Sequence, residues 1–177
     1  MRISILFCVI FLLNHYLEAN TCSVHNDIMK SILMEERHTI KNIGYEYLIS
    51  FNNSCEAKKY REVYENLFLD HRTIDCKNLT TCVNILKNLL SNGVTNLDLG
   101  PFQLNYIHQK VPNERYYFTF INSYYKACSY VESNIKQFGY TWYAIAAYHS
   151  RTPELNEIYR KKLIAHYKKL QIMNNSK

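Results

Sequence analysis

Repeated apolar residues at helical spacing constrain the fold of this chain more than any other feature. The longest pattern consists of eight residues, Tyr117, Phe120, Ile121, Tyr124, Cys128, Val131, Ile135 and Phe138. Shorter patterns of the same kind lie at 26–38, 79–90, 142–147 and 153–170. The first gives one apolar stripe of Ile28, Met29, Ile32 and Leu33, and the last gives a buried face of Leu155, Ile158, Tyr159, Leu163, Tyr167 and Leu170. Apolar residues that recur three and four positions apart place one stripe of a helix against a core. The spacing therefore predicts a mainly α protein.

Two segments favour strands instead of helices. Residues 45–51 are aromatic and rich in β-formers, and Asn52-Asn53-Ser54 ends this first strand. Residues 71–75 form a second candidate strand that would pair with it. Between them, residues 55–70 are charged and rich in tyrosine, which favours an inserted helix or a long loop covering one side of a groove. The predicted fold class is mainly α (α+β), with a small β-hairpin beside the first helix.

The N-terminus is typical of a secretory signal. Arg2 supplies a positive start, residues 3–13 are almost wholly apolar, and Leu17-Glu18-Ala19 offers a cleavage site. We therefore expect a signal peptide at 1–19 and one domain at 20–177. The apolar run is too short for a comfortable transmembrane helix, so we expect no stable membrane span after cleavage, although an uncleaved anchor is the alternative.

Five cysteines would remain after cleavage, and an oxidising compartment favours their pairing. Cys22 lies just before the first helix and Cys128 lies in the long helix that should pack behind it, so we expect these two to pair. Cys76 and Cys82 would close a short turn, which leaves Cys55 unpaired. The pairs Cys22–Cys55 and Cys82–Cys128 are the alternatives.

The chain excludes several classes of function. Its net charge of +6 favours anionic polymers as partners, but the sequence carries no nucleic-acid motif. It has no Cys-x-x-Cys pair, and its seven histidines show no metal-ligand spacing. We therefore expect neither a metal nor a cofactor.

Glu36 is the main catalytic candidate. At about 100° per residue it falls near the middle of the apolar stripe of the first helix, whereas Glu35 falls about a quarter-turn away. A carboxyl group on an apolar face has a raised pKa, so it can hold a proton near neutral pH and act as a general acid. The alternatives are a helix that has already ended, which leaves Glu36 in solvent, and a register in which Glu35 is the acid.

Three segments, in order along the chain, resemble motifs of lytic transglycosylases, which cut the glycan strands of bacterial peptidoglycan. They are Ile32-Leu33-Met34-Glu35-Glu36-Arg37, Gly100-Pro101-Phe102-Gln103-Leu104-Asn105 and Ala146-Ala147-Tyr148-His149-Ser150-Arg151-Thr152-Pro153. The third has the form seen in the specialised enzymes of type IV secretion and conjugation systems. Arg37 stands where the family has a serine, which bears on the hydrogen bonding of the adjacent carboxylate.

The resemblance implies a lysozyme-like fold and a role for each matched residue. Glu36 would be the catalytic acid, and the loop of Gly100 and Phe102 would line the cleft. Gln103 and Asn105 would bind the sugar N-acetyl groups, although amides in such a loop also cap backbone groups. Tyr148 would point its hydroxyl toward the catalytic carboxylate. His149 would line the cleft without serving as a base.

The family chemistry implies one acid that later acts as the base. The glutamic acid protonates the oxygen between N-acetylmuramic acid and N-acetylglucosamine, and the muramoyl 6-hydroxyl then closes an anhydro ring. A goose-type lysozyme is one alternative, for which Asp98 is the nearest second carboxyl group, although its setting favours a turn-stabilising role. A non-catalytic wall-binding or assembly protein is the other. The resemblance implies a periplasmic or secreted location in a bacterial envelope, with peptidoglycan strands as partner and a secretion, conjugation or pilus machine as a possible second one.

Overall fold

The computed structural model describes residues 21–176, which contain six α-helices, two short 3-10 helices and four strands. The helices are α1 (Asn26–Glu35), α2 (Ser54–Tyr60), α3 (Leu79–Ser91), α4 (Phe120–Phe138), α5 (Trp142–Ala146) and α6 (Pro153–Asn175). The strands are β1 (Leu48–Phe51), β2 (Thr73–Asp75), β3 (Leu97–Leu99) and β4 (Leu104–Asn105), and the 3-10 helices span Glu65–Leu67 and Glu114–Phe118. The expected signal peptide at 1–19 lies outside the described residues.

The predicted fold class is confirmed, since helices predominate and the strands form one small antiparallel sheet. The expected pairing of the first two strands is present, with Ile49 of β1 opposite Ile74 of β2. The sheet is larger than the predicted hairpin, because β3 and β4 extend it in the order β2-β1-β3-β4. Strands of two and three residues are too short to show alternation in the sequence.

Helix ends follow the residues that cap them. The Thr141 hydroxyl accepts a hydrogen bond from the backbone N–H of Ala144 at the start of α5. Pro153 occupies the first turn of α6, where a missing N–H costs nothing. Gly93 follows α3 with a φ of +79°, a conformation that glycine adopts without strain.

The core forms where α1 packs against α6 and where the sheet meets α3 and α4. The predicted apolar stripe of α1 is buried, including Ile32, which is fully inaccessible. The predicted buried face of α6 is partly wrong, because Leu155 and Ile158 are 49% and 56% exposed. Tyr159 and Leu163 are buried as predicted. The first turns of this long helix border an open cleft instead of the core.

The start of α4 also differs from the prediction. The chain forms a 3-10 helix up to Phe118, and α4 begins only at Phe120. Tyr117 is buried as the pattern predicted, whereas Phe120 and Ile121 are exposed. The change of helix type between these residues alters the rotation per residue, so one continuous α-helical stripe does not describe both sides of the junction.

Two disulfides occur among residues 21–176, one between distant parts of the chain and one within a short turn. Cys22 pairs with Cys128, Cys76 pairs with Cys82, and Cys55 is free and exposed. These are the pairs expected from the sequence. Disulfides fit a compartment outside the reducing cytoplasm. Within 21–176, none of the helices combines the length and apolar character needed to cross a membrane.

The segment 55–70 is an ordered cover on the sheet. It forms α2 and the 3-10 helix Glu65–Leu67. The rings of Tyr60 and Phe68 both stack on Phe51 of β1, with ring centroids 6.1 and 6.2 Å away. Asp70 ends the segment and accepts hydrogen bonds from the backbone N–H groups of Arg72 and Thr73. The insertion is therefore fixed to the sheet by aromatic packing.

A charged cluster fastens the loop after α1 to the sheet. The Asp75 side chain is fully buried and lies 2.5 Å from Lys41 Nζ and 2.6 Å from Lys77 Nζ. Tyr45 also donates its hydroxyl to Asp75 at 2.7 Å. Burial by itself would raise the pKa of Asp75, but the hydrogen bonds from Lys41, Lys77 and Tyr45 lower it to about 2. Asp75 is therefore ionised in the folded protein.

Candidate active site

An open cleft of about 650 Å³ lies between the sheet and helix α6. The end of α1 and the first half of α6 supply one side, including Glu36 and Lys162. Strands β1 to β4 and their connecting loops supply the other, including Asp98 and Gln103. Seven residues of the three motifs line this cleft, namely Glu35, Glu36, Arg37, Gln103, Asn105, Tyr148 and His149. The fold thus brings parts of three distant segments into one cavity.

Glu36 caps the C-terminal end of α1 and is partly buried at the cleft. The Tyr159 hydroxyl donates a hydrogen bond to Glu36 Oε1 at 2.5 Å. Burial raises the pKa of Glu36 to about 8, which outweighs the opposite effect of the Tyr159 hydrogen bond, and the charge of Asp98 adds to the increase. The C-terminal end of a helix also disfavours a negative charge. Glu36 therefore holds its proton at neutral pH.

Glu35 has a different environment from its neighbour. Its carboxylate lies 2.6 Å from Lys162 Nζ and 3.1 Å from His166 Nε2. In contrast, no salt bridge involves Glu36 among residues 21–176. An ammonium group close to a carboxylate favours its charged form. The geometry therefore favours Glu36 over Glu35 as the proton donor.

Asp98 on β3 places a second carboxyl group in the cleft. It accepts a hydrogen bond from Asn105 Nδ2 at 2.9 Å, across the β3–β4 pair. Burial raises the pKa of Asp98, although the Asn105 hydrogen bond opposes this effect. Asp98 also contributes to the raised pKa of Glu36. It thus stabilises the β3–β4 turn, as its sequence setting indicated, and faces the same cavity as Glu36.

The two amide side chains of the second motif line the cleft and also bond to the protein. Gln103 has a φ of +46°, and its Nε2 donates to the carbonyl oxygen of Gly100 at 2.8 Å. Asn105 Oδ1 accepts from the backbone N–H of Ile107 at 3.0 Å, while its Nδ2 donates to Asp98. The capping role that the sequence left open therefore applies to both amides. A ligand would have to share or displace these hydrogen bonds.

The loop lines the cleft through Gln103 and Asn105, whereas Gly100 and Phe102, which were expected there as well, are not among the lining residues. The Phe102 side chain is only 1% exposed and packs against the rings of Phe120 and Tyr124. Gly100 has a φ of +69°, and a Cβ atom there would lie 1.8 Å from the carbonyl oxygen of Tyr117. Both residues shape the turn from within the core. An apolar ring after a tight turn packs inward because burial removes it from water.

Tyr148 lines the cleft, and burial together with the charge of Glu36 raises the pKa of its hydroxyl, so this hydroxyl lies near the Glu36 carboxyl group. The Tyr148 hydroxyl makes no hydrogen bond to Glu36. It donates instead to the carbonyl oxygen of Phe102 at 2.6 Å and so fixes the second motif to the third. His149 is at the cleft, as predicted, and its ring stacks on Tyr159 with the centroids 4.7 Å apart. Burial lowers the pKa of His149, which favours the neutral ring.

Tyr159 lines the cleft and contacts Glu36, although no motif in the sequence pointed to it. The helical pattern of α6 assigned it to the buried face, which is correct, but it assigned no role to the hydroxyl. A tyrosine hydroxyl on a buried face needs a hydrogen-bond partner, and here the partner is Glu36. A tyrosine on the predicted buried face was therefore a sign that a polar group lies opposite it. The exposed side chains of Leu155 and Ile158 also line the cleft near Tyr159, and they give its α6 side an apolar character.

One group of potential metal ligands occurs within 21–176, formed by Cys22, Cys128 and Glu132. Both cysteines belong to the same disulfide, so neither offers a thiolate to a metal. Glu132 accepts hydrogen bonds from Ser23 instead. This group is structural.

No protein-family model, curated protein or solved structure matches this chain. The chemistry of the cleft must therefore be inferred from its own residues.

Proposed function

We propose that this protein is a peptidoglycan lytic transglycosylase with Glu36 as its general acid and then its base. The observation that carries the proposal is the setting of Glu36, a partly buried carboxyl group with a pKa of about 8 in an open cleft. The three segments that resemble transglycosylase motifs contribute residues to that same cleft. A proton donor that stays protonated at neutral pH suits cleavage of a glycosidic bond.

In the proposed reaction, Glu36 donates its proton to the oxygen of the bond between N-acetylmuramic acid and N-acetylglucosamine. The bond from that oxygen to the muramoyl C1 breaks, and the oxygen leaves as a hydroxyl of the released N-acetylglucosamine. The Glu36 carboxylate then accepts the proton of the muramoyl 6-hydroxyl while that oxygen bonds to C1. This step closes the 1,6-anhydro ring, restores the acid and consumes no water.

Tyr159 has a clear part in this scheme. Its hydroxyl bonds to one oxygen of Glu36, so the second oxygen, Oε2, is the candidate to carry the reactive proton. After proton transfer the same hydrogen bond stabilises the carboxylate that forms. Tyr159 thereby orients the acid and moderates its pKa.

The sheet side of the cleft suits a sugar with amide groups. Gln103 and Asn105 present amides there, and amide groups pair well with N-acetyl groups. On the other side, Leu155 and Ile158 present apolar surface to the cleft. The proposal therefore assigns N-acetyl recognition to Gln103 and Asn105, and apolar packing of the glycan to α6.

A hydrolase is the second candidate function, and Asp98 favours it. Most glycoside hydrolases use two carboxyl groups, and Asp98 shares the cleft with Glu36. In that alternative, Asp98 would activate a water molecule or stabilise the developing positive charge. A water molecule would then enter the product as a reducing end.

Mass spectrometry of purified peptidoglycan after incubation with the protein tests these candidates. We expect anhydromuramoyl products, which are lighter by one water than the reducing ends a hydrolase would release. Glu36→Gln should abolish cleavage, because general acid–base catalysis is worth roughly a hundred- to ten-thousand-fold. Asp98→Asn is the matched variant, since it should abolish hydrolysis but leave substantial transglycosylation. Glycan binding without any cleavage would instead indicate a non-catalytic wall-binding protein.

The proposed location is the periplasm or the exterior of a bacterial cell. The two disulfides fit an oxidising compartment, and peptidoglycan lies in such a compartment. Within this proposal, the enzyme opens the wall locally for a secretion, conjugation or pilus machine. Recovery of the protein from periplasmic or culture fractions, with both disulfides intact, tests the location.

A further inference from the structure

The two adjacent carboxyl groups at the end of α1 both contact α6, but each has a different partner there. Glu36 accepts a hydrogen bond from Tyr159, and Glu35 forms an ion pair with Lys162 at 2.6 Å. His166 lies 3.1 Å from the other oxygen of Glu35. Tyr159, Lys162 and His166 are three and four positions apart on α6, so they share one face of that helix. The face therefore presents a hydroxyl to Glu36 and a cation to Glu35.

Lys162 is the cation of α6 that lines the cleft with Glu36. Its side chain is 56% exposed and carries its charge on a flexible four-carbon stem. If Glu35 did not hold the ammonium, Lys162 could turn toward Glu36, one residue further along the chain. An ammonium within about 4–6 Å of a carboxyl group favours its ionised form. The orientation of the Lys162 side chain thus affects whether Glu36 keeps the proton that an acid must donate.

We propose that Glu35 is a positioning residue that keeps Glu36 protonated, because it binds the Lys162 ammonium and holds it away from Glu36. The inference rests on the proposed role of Glu36 as the general acid. Glu35 lines the cleft, but in this role it does not transfer the proton. It acts through Lys162, and through its own negative charge beside Glu36.

The other titratable groups that face Glu36 come from every element around it. In the cleft they are Glu35 on α1, Arg37 and His38 after it, Asp70 and Arg72 before β2, Asp98 on β3, His108 after β4, Tyr148 and His149 after α5, and Tyr159 and Lys162 on α6. Asp98 and Glu35 are the acidic groups of this set that raise the pKa of Glu36, and a hydrogen bond from Asn105 fixes Asp98 on the far side of the cleft. Lys162 is the cation of this set that lowers the pKa of Glu36, so its position matters.

The charges of the ion pair act on Glu36 in opposite directions. The negative charge of Glu35 raises the pKa of Glu36, and the positive charge of Lys162 lowers it. Removal of Glu35 should therefore lower this pKa twice, through the lost negative charge and through the released ammonium. Removal of Lys162 should raise it.

Carbon-13 NMR of protein labelled at the glutamate carboxyl carbon tests the proposal directly. The Glu36 signal is assigned by its loss in Glu36→Gln, and its titration is followed in four proteins: wild type, Glu35→Gln, Lys162→Met and the double variant. We expect the midpoint to fall by about one pH unit or more in Glu35→Gln. It should rise in Lys162→Met, and the double variant should titrate close to the wild type.

An unchanged midpoint in Glu35→Gln, or a midpoint that moves the same way in both single variants, would overturn the proposal. The titration needs no substrate, so its outcome is independent of whether the protein cleaves peptidoglycan. If cleavage is observed, the upper limb of the pH profile should move with the midpoint in each variant. If Glu35→Gln does not fold, as judged by circular dichroism, Glu35→Asp replaces it, because the shorter side chain keeps the negative charge but loses the reach to Lys162. The midpoint should then fall, and an unchanged midpoint would overturn the proposal.

Discussion

Asp75 at the edge of the sheet and Glu36 at the cleft are two carboxyl groups with opposite states. Each accepts a hydrogen bond from a tyrosine hydroxyl, from Tyr45 at 2.7 Å and from Tyr159 at 2.5 Å. Burial raises the pKa of both groups. At Asp75 the hydrogen bonds to the protein reverse that effect and lower the pKa to about 2, whereas at Glu36 the pKa remains raised, at about 8.

The difference lies in the nearby cations. Lys41 and Lys77 both donate to Asp75, while Lys162, the lysine that lines the cleft with Glu36, is bound by Glu35. A buried carboxyl group with two ammonium partners stabilises the fold in its charged form, because the two positive charges compensate its own. A carboxyl group left with a single hydroxyl partner retains its proton and can transfer it. The comparison therefore separates a stabilising residue from a reactive one.

The largest effect that tests this comparison is the pH dependence of cleavage. Glu36 must be protonated to act as the acid, so activity should be retained below the folded pKa of about 8 and lost above it. Well above that pH, the rate should fall by about tenfold per pH unit. Rates measured from pH 6 to 10 give this limb. Asp75→Asn should leave its position unchanged, and a shifted limb in that variant would argue against separate roles.

Asp75→Asn should instead reduce stability. The substitution leaves two lysines without their carboxylate, which costs on the order of 3 kcal/mol for a buried pair. The folded pKa of Asp75 is lowered from 3.8 to about 2, so its contribution is present above the unfolded value and is lost as the pH falls between these values. Urea unfolding of both proteins at pH 7 and near pH 2 measures this. Equal free energies of unfolding at pH 7 would show that the ion pairs of Asp75 do not stabilise the fold.

Glu36→Gln should have the opposite effect on stability. Because the folded pKa of Glu36 is raised from 4.5 to about 8, the wild type loses stability as the pH rises between these values. The glutamine variant lacks this loss and should be more stable at pH 8, by on the order of 2 kcal/mol for a partly solvated group. Urea unfolding of both proteins at pH 5 and pH 8 gives the change in the free energy of unfolding with pH for each. Equal changes in the two proteins would indicate that Glu36 is ionised in the folded protein.

The smallest expected effects distinguish the two tyrosines of the cleft. Tyr159→Phe removes a hydrogen bond that favours the carboxylate, so the pKa of Glu36 should rise and turnover should fall more than glycan binding. Tyr148→Phe leaves the carbonyl oxygen of Phe102 without its donor, which costs about 1–3 kcal/mol of stability. Turnover, binding and thermal unfolding of both variants provide the comparison. A larger loss of turnover in Tyr148→Phe would reverse the assignment of the two hydroxyls.

Much of the fold could be predicted because its signals are local. Helical spacing located every long helix. Gly93 follows the end of α3 and Pro153 begins α6, as glycine and proline commonly do at helix boundaries. The same local spacing could not show which apolar residues remain exposed. The exposed Leu155 and Ile158 have the spacing of buried residues, and only the open cleft beside α6 explains their exposure.

The sequence by itself determined that Glu36 lies at the end of the apolar stripe of α1, because rotation along a helix depends only on spacing. It could not determine which tyrosine reaches this carboxyl group, since Tyr148 and Tyr159 are both close in sequence to the third motif. Nor could it show that Lys162 binds Glu35 instead of Glu36. These partners come from helices 123 or more positions apart. Only the packing of α1 on α6 decides them, because the charge and hydrogen bonds around a group depend on what the fold places beside it.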